Sequence, residues 1–142
     1  GSAWTEVGDL NTARLLHAGS GTDNTSALAF GGQPAIANNE SWNGSAWTEV
    51  GDLNNGRNGL AGAGTAAAAI AFGGDPAVAN TETWNGTTWI NDQLMNTGRH
   101  RLGGSGTSTS ALAYSGQAPS VSVASEEWDG SGIATEIVTD SL

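Results

Sequence analysis

The 142-residue chain contains no cysteine and no lysine, and only 13% of its side chains are charged. Without cysteine there is no disulfide staple, no thiolate metal site and no cysteine nucleophile. Four arginines stand against fourteen carboxylates, for a net charge of −10. The excess is spread along the chain rather than gathered into a tail, so the whole surface is acidic. Such a surface argues against nucleic acid, whose recognition needs phosphate-neutralising cations, and against anionic bilayers. No apolar run reaches membrane-spanning length, so no membrane insertion is expected. A helical period of apolar residues is missing too.

What the chain does have is a period. Trp4, Trp47 and Trp89 recur at about 43 residues, and Trp42, Trp84 and Trp128 recur at the same spacing. Residues 1–11 (GSAWTEVGDLN) return letter for letter at 44–54. A period of this size marks supersecondary units that bury their apolar faces only against each other. Within one unit, Glu82-Thr83-Trp84 runs into Asn85-Gly86, a strong hairpin signal, and Thr87-Thr88-Trp89-Ile90 runs back. Asn43-Gly44 and Asp129-Gly130 mark the same turn in the other copies. With Asn43-Gly44 as a two-residue turn, Glu40 is expected opposite Trp47, and Trp42 and Trp47 become diagonal neighbours. A run of tiny residues (18–21, 61–64, 103–106) and an apolar run (Ala27–Phe30, Ala69–Phe72, Ala111–Tyr114) complete each unit. Gly31-Gly32 and Gly73-Gly74 follow the apolar run, and the pair decays to Ser115-Gly116 in the third copy. Length changes fall between these segments, as loops allow.

Four short strands per unit predict an all-β chain of three four-stranded blades, the repeating element of a β-propeller. One repeat domain, 1–142, then divides into a leading outer strand and loop (1–14) and blades at 15–56, 57–98 and 99–142. The last outer strand is degenerate, with Ile133 where a tryptophan is expected. Three blades do not close a ring. Two chains of three would close a six-bladed ring with twofold symmetry, residues 3–7 completing the partner's last blade. The other reading is a segment of a longer propeller.

The order of these features is similar to the kelch repeat: a small-residue strand, an apolar strand ending in Gly-Gly, an aromatic before a turn, a tryptophan after it, and a loop ending in arginine. Trp42, Trp84 and Trp128 stand where kelch repeats usually carry tyrosine. Trp47 and Trp89 match their following tryptophan. Arg14, Arg57 and Arg99 match their frequent arginine. The Trp-Asn-Gly-x-x-Trp hairpin also resembles repeats in virion-associated proteins of tailed phages, notably tail fibres. The resemblance implies a non-enzymatic binding or structural module on a virion or outside a cell. Its partner would be a surface glycan or protein. An intracellular kelch-type scaffold and, more remotely, a propeller enzyme are the other readings.

Candidate sites follow from what repeats and what varies. Arg14, Arg57 and Arg99 recur once per unit, which points to a structural ion pair or carbonyl contact rather than to anion recognition. The tryptophans belong to the same structural set. His17 aligns with Leu60 and Leu102 and is expected in a partly apolar slot. His100 reads as a surface loop residue, and Arg101 has no counterpart in the other copies. The variable loops carry the binding candidates: Gln33, Asn38 and Asn39 in the first, Asp75 and Asn80 in the second, Gln117, Ser120 and Ser122 in the third. Asp9 and Asp52 join them from the Gly-Asp-Leu-Asn connections, where turn stabilisation competes with a calcium role. No catalytic residue, metal or cofactor is assigned.

Overall fold

The structure, a computed structural model, describes residues 3–130 and the backbone of residues 135–137. It is all-β, and no helix among the described residues is long and apolar enough to cross a membrane. The first sheet holds β1 (Ala18–Asp23), β2 (Ser26–Phe30), β3 (Asn39–Trp42) and β4 (Trp47–Val50). The second holds β5 (Ala61–Gly64), β6 (Ala69–Phe72), β7 (Thr81–Trp84) and β8 (Trp89–Asn91). The third holds β9 (Gly103–Gly106), β10 (Ala111–Tyr114), β11 (Ser125–Trp128) and β12 (Thr135–Ile137). Every sheet is antiparallel and runs in chain order, with the tiny-residue strand at one edge. The sheets stack so that β5 lies between β1 and β9.

Alternation along β2, β6 and β10 explains the stacking. Each strand points alanines to one face and larger groups to the other. Leu28 and Phe30 of the first sheet pack on Ala69, Ala71, Trp84 and Trp89 of the second. Ile70 and Phe72 of the second pack on Ala111 and Ala113 of the third. A large-residue face thus meets a small-residue face at each junction. The tiny-residue strands make room for the rings. A Cβ on Gly62 would meet Cζ of Phe30 at 2.5 Å, and one on Gly104 would meet Cζ of Phe72 at 2.7 Å. Phe30 also meets Trp89 edge to face, with centroids 4.9 Å apart. Such contacts are favourable beyond the area they bury. The first hairpin tryptophan ties the sheet together internally. The indole N–H groups of Trp42, Trp84 and Trp128 donate to Asn24, Ala66 and Ser108 carbonyls at 2.9, 3.1 and 3.0 Å.

Two expectations about the strands are corrected. First, Trp42 and Trp47 are directly opposite, not diagonal, and Glu40 faces Glu49. The Asn43 carboxamide accepts from the N–H groups of Ser45 and Ala46, both at 2.9 Å. This widens the turn to four residues and shifts the register by two. Asn85 does the same with Thr87 and Thr88. The paired rings lie 5.4 Å apart in the first sheet and 5.5 Å apart in the second. Second, residues 3–7 form no strand, and Trp4 is fully exposed. The third strand they would pair with belongs to a preceding sheet, and among the described residues no strand pairs with them. Tyr114 is 41% exposed, whereas Phe30 and Phe72 at the same repeat position are 0% and 3% exposed. Among the described residues no sheet covers the large-residue face of the third sheet. Ile133 lies outside the described residues; the observed register aligns Thr135 with Thr48.

Candidate functional site

Backbone bonds within and between the repeat units gather all three variable loops at one end of the stack. Gln33 N–H donates to Leu15 O at 2.8 Å, and Asp75 N–H to Asn58 O at 2.7 Å. Gln117 and His100 exchange bonds of 3.0 and 3.2 Å. Across the junctions, Gly32 N–H donates to Arg57 O and Gly74 N–H to Arg99 O, at 2.9 and 2.8 Å. Gly74, at φ 133°, lies close against Arg57, where a Cβ would meet Cδ at 2.9 Å. Leu16, Gly59 and Arg101 line up at the inner end of this face, all in the left-handed region at φ 56°, 64° and 55°. Gly59 N–H donates to Leu16 O at 2.8 Å and Arg101 N–H to Gly59 O at 2.6 Å. In the sequence the one signal of this ladder is the glycine in the second copy, because the other two copies carry ordinary side chains in a glycine-like conformation.

Beneath the loops lies one cluster per sheet. Arg57 donates to Glu82 Oε1 at 2.5 Å, to Gly73 O at 2.8 Å and to Asn55 O at 2.9 Å. Glu82 also accepts from the N–H and side chain of Asn54, at 2.6 and 3.0 Å. Arg99 pairs with Glu126 at 2.7 Å and reaches the carbonyls of Ala124 and Ser115. Arg14 pairs with Glu40, which accepts from Asn11 and Thr12. The three pairs are buried. They fasten each incoming connection to the third strand of its sheet, so the arginines do not face a ligand. Burial pushes the Glu40 carboxyl up, but the Asn11 and Thr12 bonds and the Arg14 charge outweigh it and hold the group below its usual value.

The loop candidates divide. Gln33, Asp75 and Ser120 are exposed, as are Asp9 and Asp52. Asn38, half-buried, donates to Glu49 Oε1 at 2.6 Å. Asn80 and Gln117 are half-buried, and Gln117 Nε2 reaches Pro119 O at 3.3 Å. Ser122 Oγ accepts from Ala124 N–H at 3.1 Å, shaping its own loop. Asn39 leaves the surface set: it is fully buried in β3, and its amide donates to Gly51 O at 3.2 Å. Burial follows from its cross-strand place between Phe30 and Val50. His17 is exposed rather than slotted, because Leu60 and Leu102 each fill a junction with the preceding sheet and no described sheet precedes His17. What burial it has, together with the Arg14 charge, lowers its pKa.

Several polar side chains meet at the junction of the second and third sheets: Asp75 and Gln117, which share one repeat position with Gln33, and His100 and Arg101. His100 Nδ1 lies 3.9 Å from Asp75 Oδ1 and is buried without a hydrogen-bond partner. Gln117 pairs with His100 through the backbone, and exposed Arg101 follows it. Of these groups the Asp75 carboxylate and the Arg101 guanidinium are exposed, while the Gln117 amide is half-buried and the His100 Nδ1 is buried. Among the described residues no three His, Asp or Glu side chains gather where a metal ion could sit. No family model matches the chain, and no curated protein sequence matches it.

Proposed function

We propose that the chain is a non-enzymatic binding module built of kelch-like propeller blades. Each four-stranded sheet is a blade, the tiny-residue strands line the axis, and two copies supply six blades to one ring. The loop end of the ring recognises a surface glycan or protein for a virion or other extracellular appendage. One observation carries this reading. Three loops that differ in sequence are fixed side by side by backbone bonds, on a scaffold whose remaining parts repeat. The acidic surface supports a neutral or cationic partner over a polyanionic one. Asp75, His100, Arg101 and Gln117 would make the ligand contacts.

The test is binding of the 142-residue chain to an array of bacterial-surface glycans and to intact cells. Retention is expected, with loss in a combined Asp75→Asn, Gln117→Ala variant of unchanged melting temperature. Retention that survives substitution in all three loops would sink the assignment of this face.

A further inference from the structure

We propose that a second copy of the chain covers the third sheet, bringing its first sheet and its 3–7 arm, with Trp4 filling the crevice between the second and third sheets. This rests on the ring reading above and adds the contacts that close it.

The junctions inside the chain define what fits. A large-residue face carries Leu28 and Phe30, or Ile70 and Phe72, and it takes a small-residue face with a glycine opposite the ring. The third sheet offers the same large-residue face uncovered, with Leu112 at 37% exposure and Tyr114 leaning back over Gly103. The first sheet offers the matching small-residue face. Ala18 points to the second sheet, so Gly19 points the other way, and a Cβ there would meet nothing but the Leu28 carbonyl. Half-exposed Ala27 flanks that slot at the position of Ala69 and Ala111. Tyr114 is therefore a knob and Gly19 of a second copy its hole, as Phe30 and Gly62 are within one copy. The neighbouring contact changes on both sides together: Gly31 against Leu60 within the chain becomes Ser115 against His17, a hydrogen-bonding pair.

The arm supplies the second, independent observation. Residues 3–7 repeat Ala46–Val50 letter for letter, and there the segment is the outer strand β4. The connection after it already follows the repeat: Asn11 bonds Glu40 and the Trp47 carbonyl as Asn54 bonds Glu82 and the Trp89 carbonyl. The residues before Asn11 thus emerge where a preceding sheet's outer strand would run. In the second sheet that strand places Trp89 against Phe30 and Trp84. The third repeat has no second tryptophan in sequence, and Thr135 is preceded by Ala134 where Thr48 is preceded by Trp47. An apolar crevice lies at that place, lined by Phe72, Met95, Ala113 and Trp128. An arm that replaces β12 beside β11 delivers Trp4 into it.

The absence of cysteine makes the test direct. In the repeat register Thr5 takes the place of Thr135, opposite Glu127. Both are exposed. Thr5→Cys and Glu127→Cys chains, purified apart and mixed under mild oxidation, should give a disulfide-linked pair of twice 14.2 kDa, beyond what either gives alone. Sedimentation of the unmodified chain should show a dimer. Trp4→Ala, Tyr114→Ser and Ala27→Asp should each weaken association roughly tenfold or more, as loss of a central aromatic anchor does. Mixing Tyr114→Ser with Ala27→Asp should restore a pair held by one intact junction. A monomer overturns the proposal, and so does a dimer indifferent to Trp4→Ala that fails to cross-link. That last dimer would leave the six-blade reading standing. Cross-linked open chains would uphold the arm contact and sink the closed ring.

Discussion

At the residue scale the buried Arg–Glu pairs decide most. Their recurrence is legible in the sequence, since Arg14, Arg57 and Arg99 and Glu40, Glu82 and Glu126 keep one period. That each arginine meets the glutamate of its own unit is not legible, because they stand about 25 residues apart and only the sheet register brings them together. Arg57→Met should cost about 3–5 kcal/mol, because it leaves the Glu82 charge buried without its partner. Arg57→Met with Glu82→Leu should recover much of that in urea melts. Acid acts on the same clusters. The Glu40 carboxyl is held below its unfolded value, so its contribution is fully present above about pH 4.3 and is lost as pH falls through the lower folded value. Between about pH 5 and about pH 3, Glu40→Gln should lose less melting temperature than the parent chain. A steeper loss in the variant would contradict the sign.

Strands and hairpins show where sequence reading stops. Twelve strands in three sheets are foreshadowed by the period and by the small–large alternation. The hairpin register is not, because Asn-Gly reads equally as a two-residue turn, and the Asn43 side chain competes for the N–H groups that decide it. Burial of a repeated position is equally hidden. Phe30, Phe72 and Tyr114 look equivalent in sequence, and neighbouring sheets make them differ. The same holds for tryptophan. Trp89 is 4% exposed between two sheets, while Trp47 is half-buried on an open face. Trp89→Ala should therefore cost about 3–5 kcal/mol and exceed the cost of Trp47→Ala. Trp89→Phe should cost far less, because the indole N–H is buried without a partner and its loss removes an unsatisfied donor. Equal losses for Trp47→Ala and Trp89→Ala in a thermal melt would contradict the stacking order.

For the whole molecule, charge and apolar burial pull in opposite directions. The period reveals identical units, but it cannot reveal which faces stay open. That follows only from the order of the stack, with Leu112 and Tyr114 at one end and Gly19 and Ala27 at the other. Two copies of net charge −10 repel over distances set by the ionic strength. Leu112, Tyr114, Gly19 and Ala27 are uncharged, and Glu127, paired with Leu112 across β10 and β11, adds only a further carboxylate to that face, so salt has no ion pair to weaken among them. Association between copies should therefore strengthen as salt rises from about 20 to about 300 mM, because screening removes repulsion and leaves the apolar contact intact. Where association accompanies folding, the melting temperature should also rise with protein concentration. Sedimentation across that salt range reads the sign directly. A dimer that loosens with added salt would mean that ion pairs, not the Tyr114 and Trp4 contacts, hold the copies together.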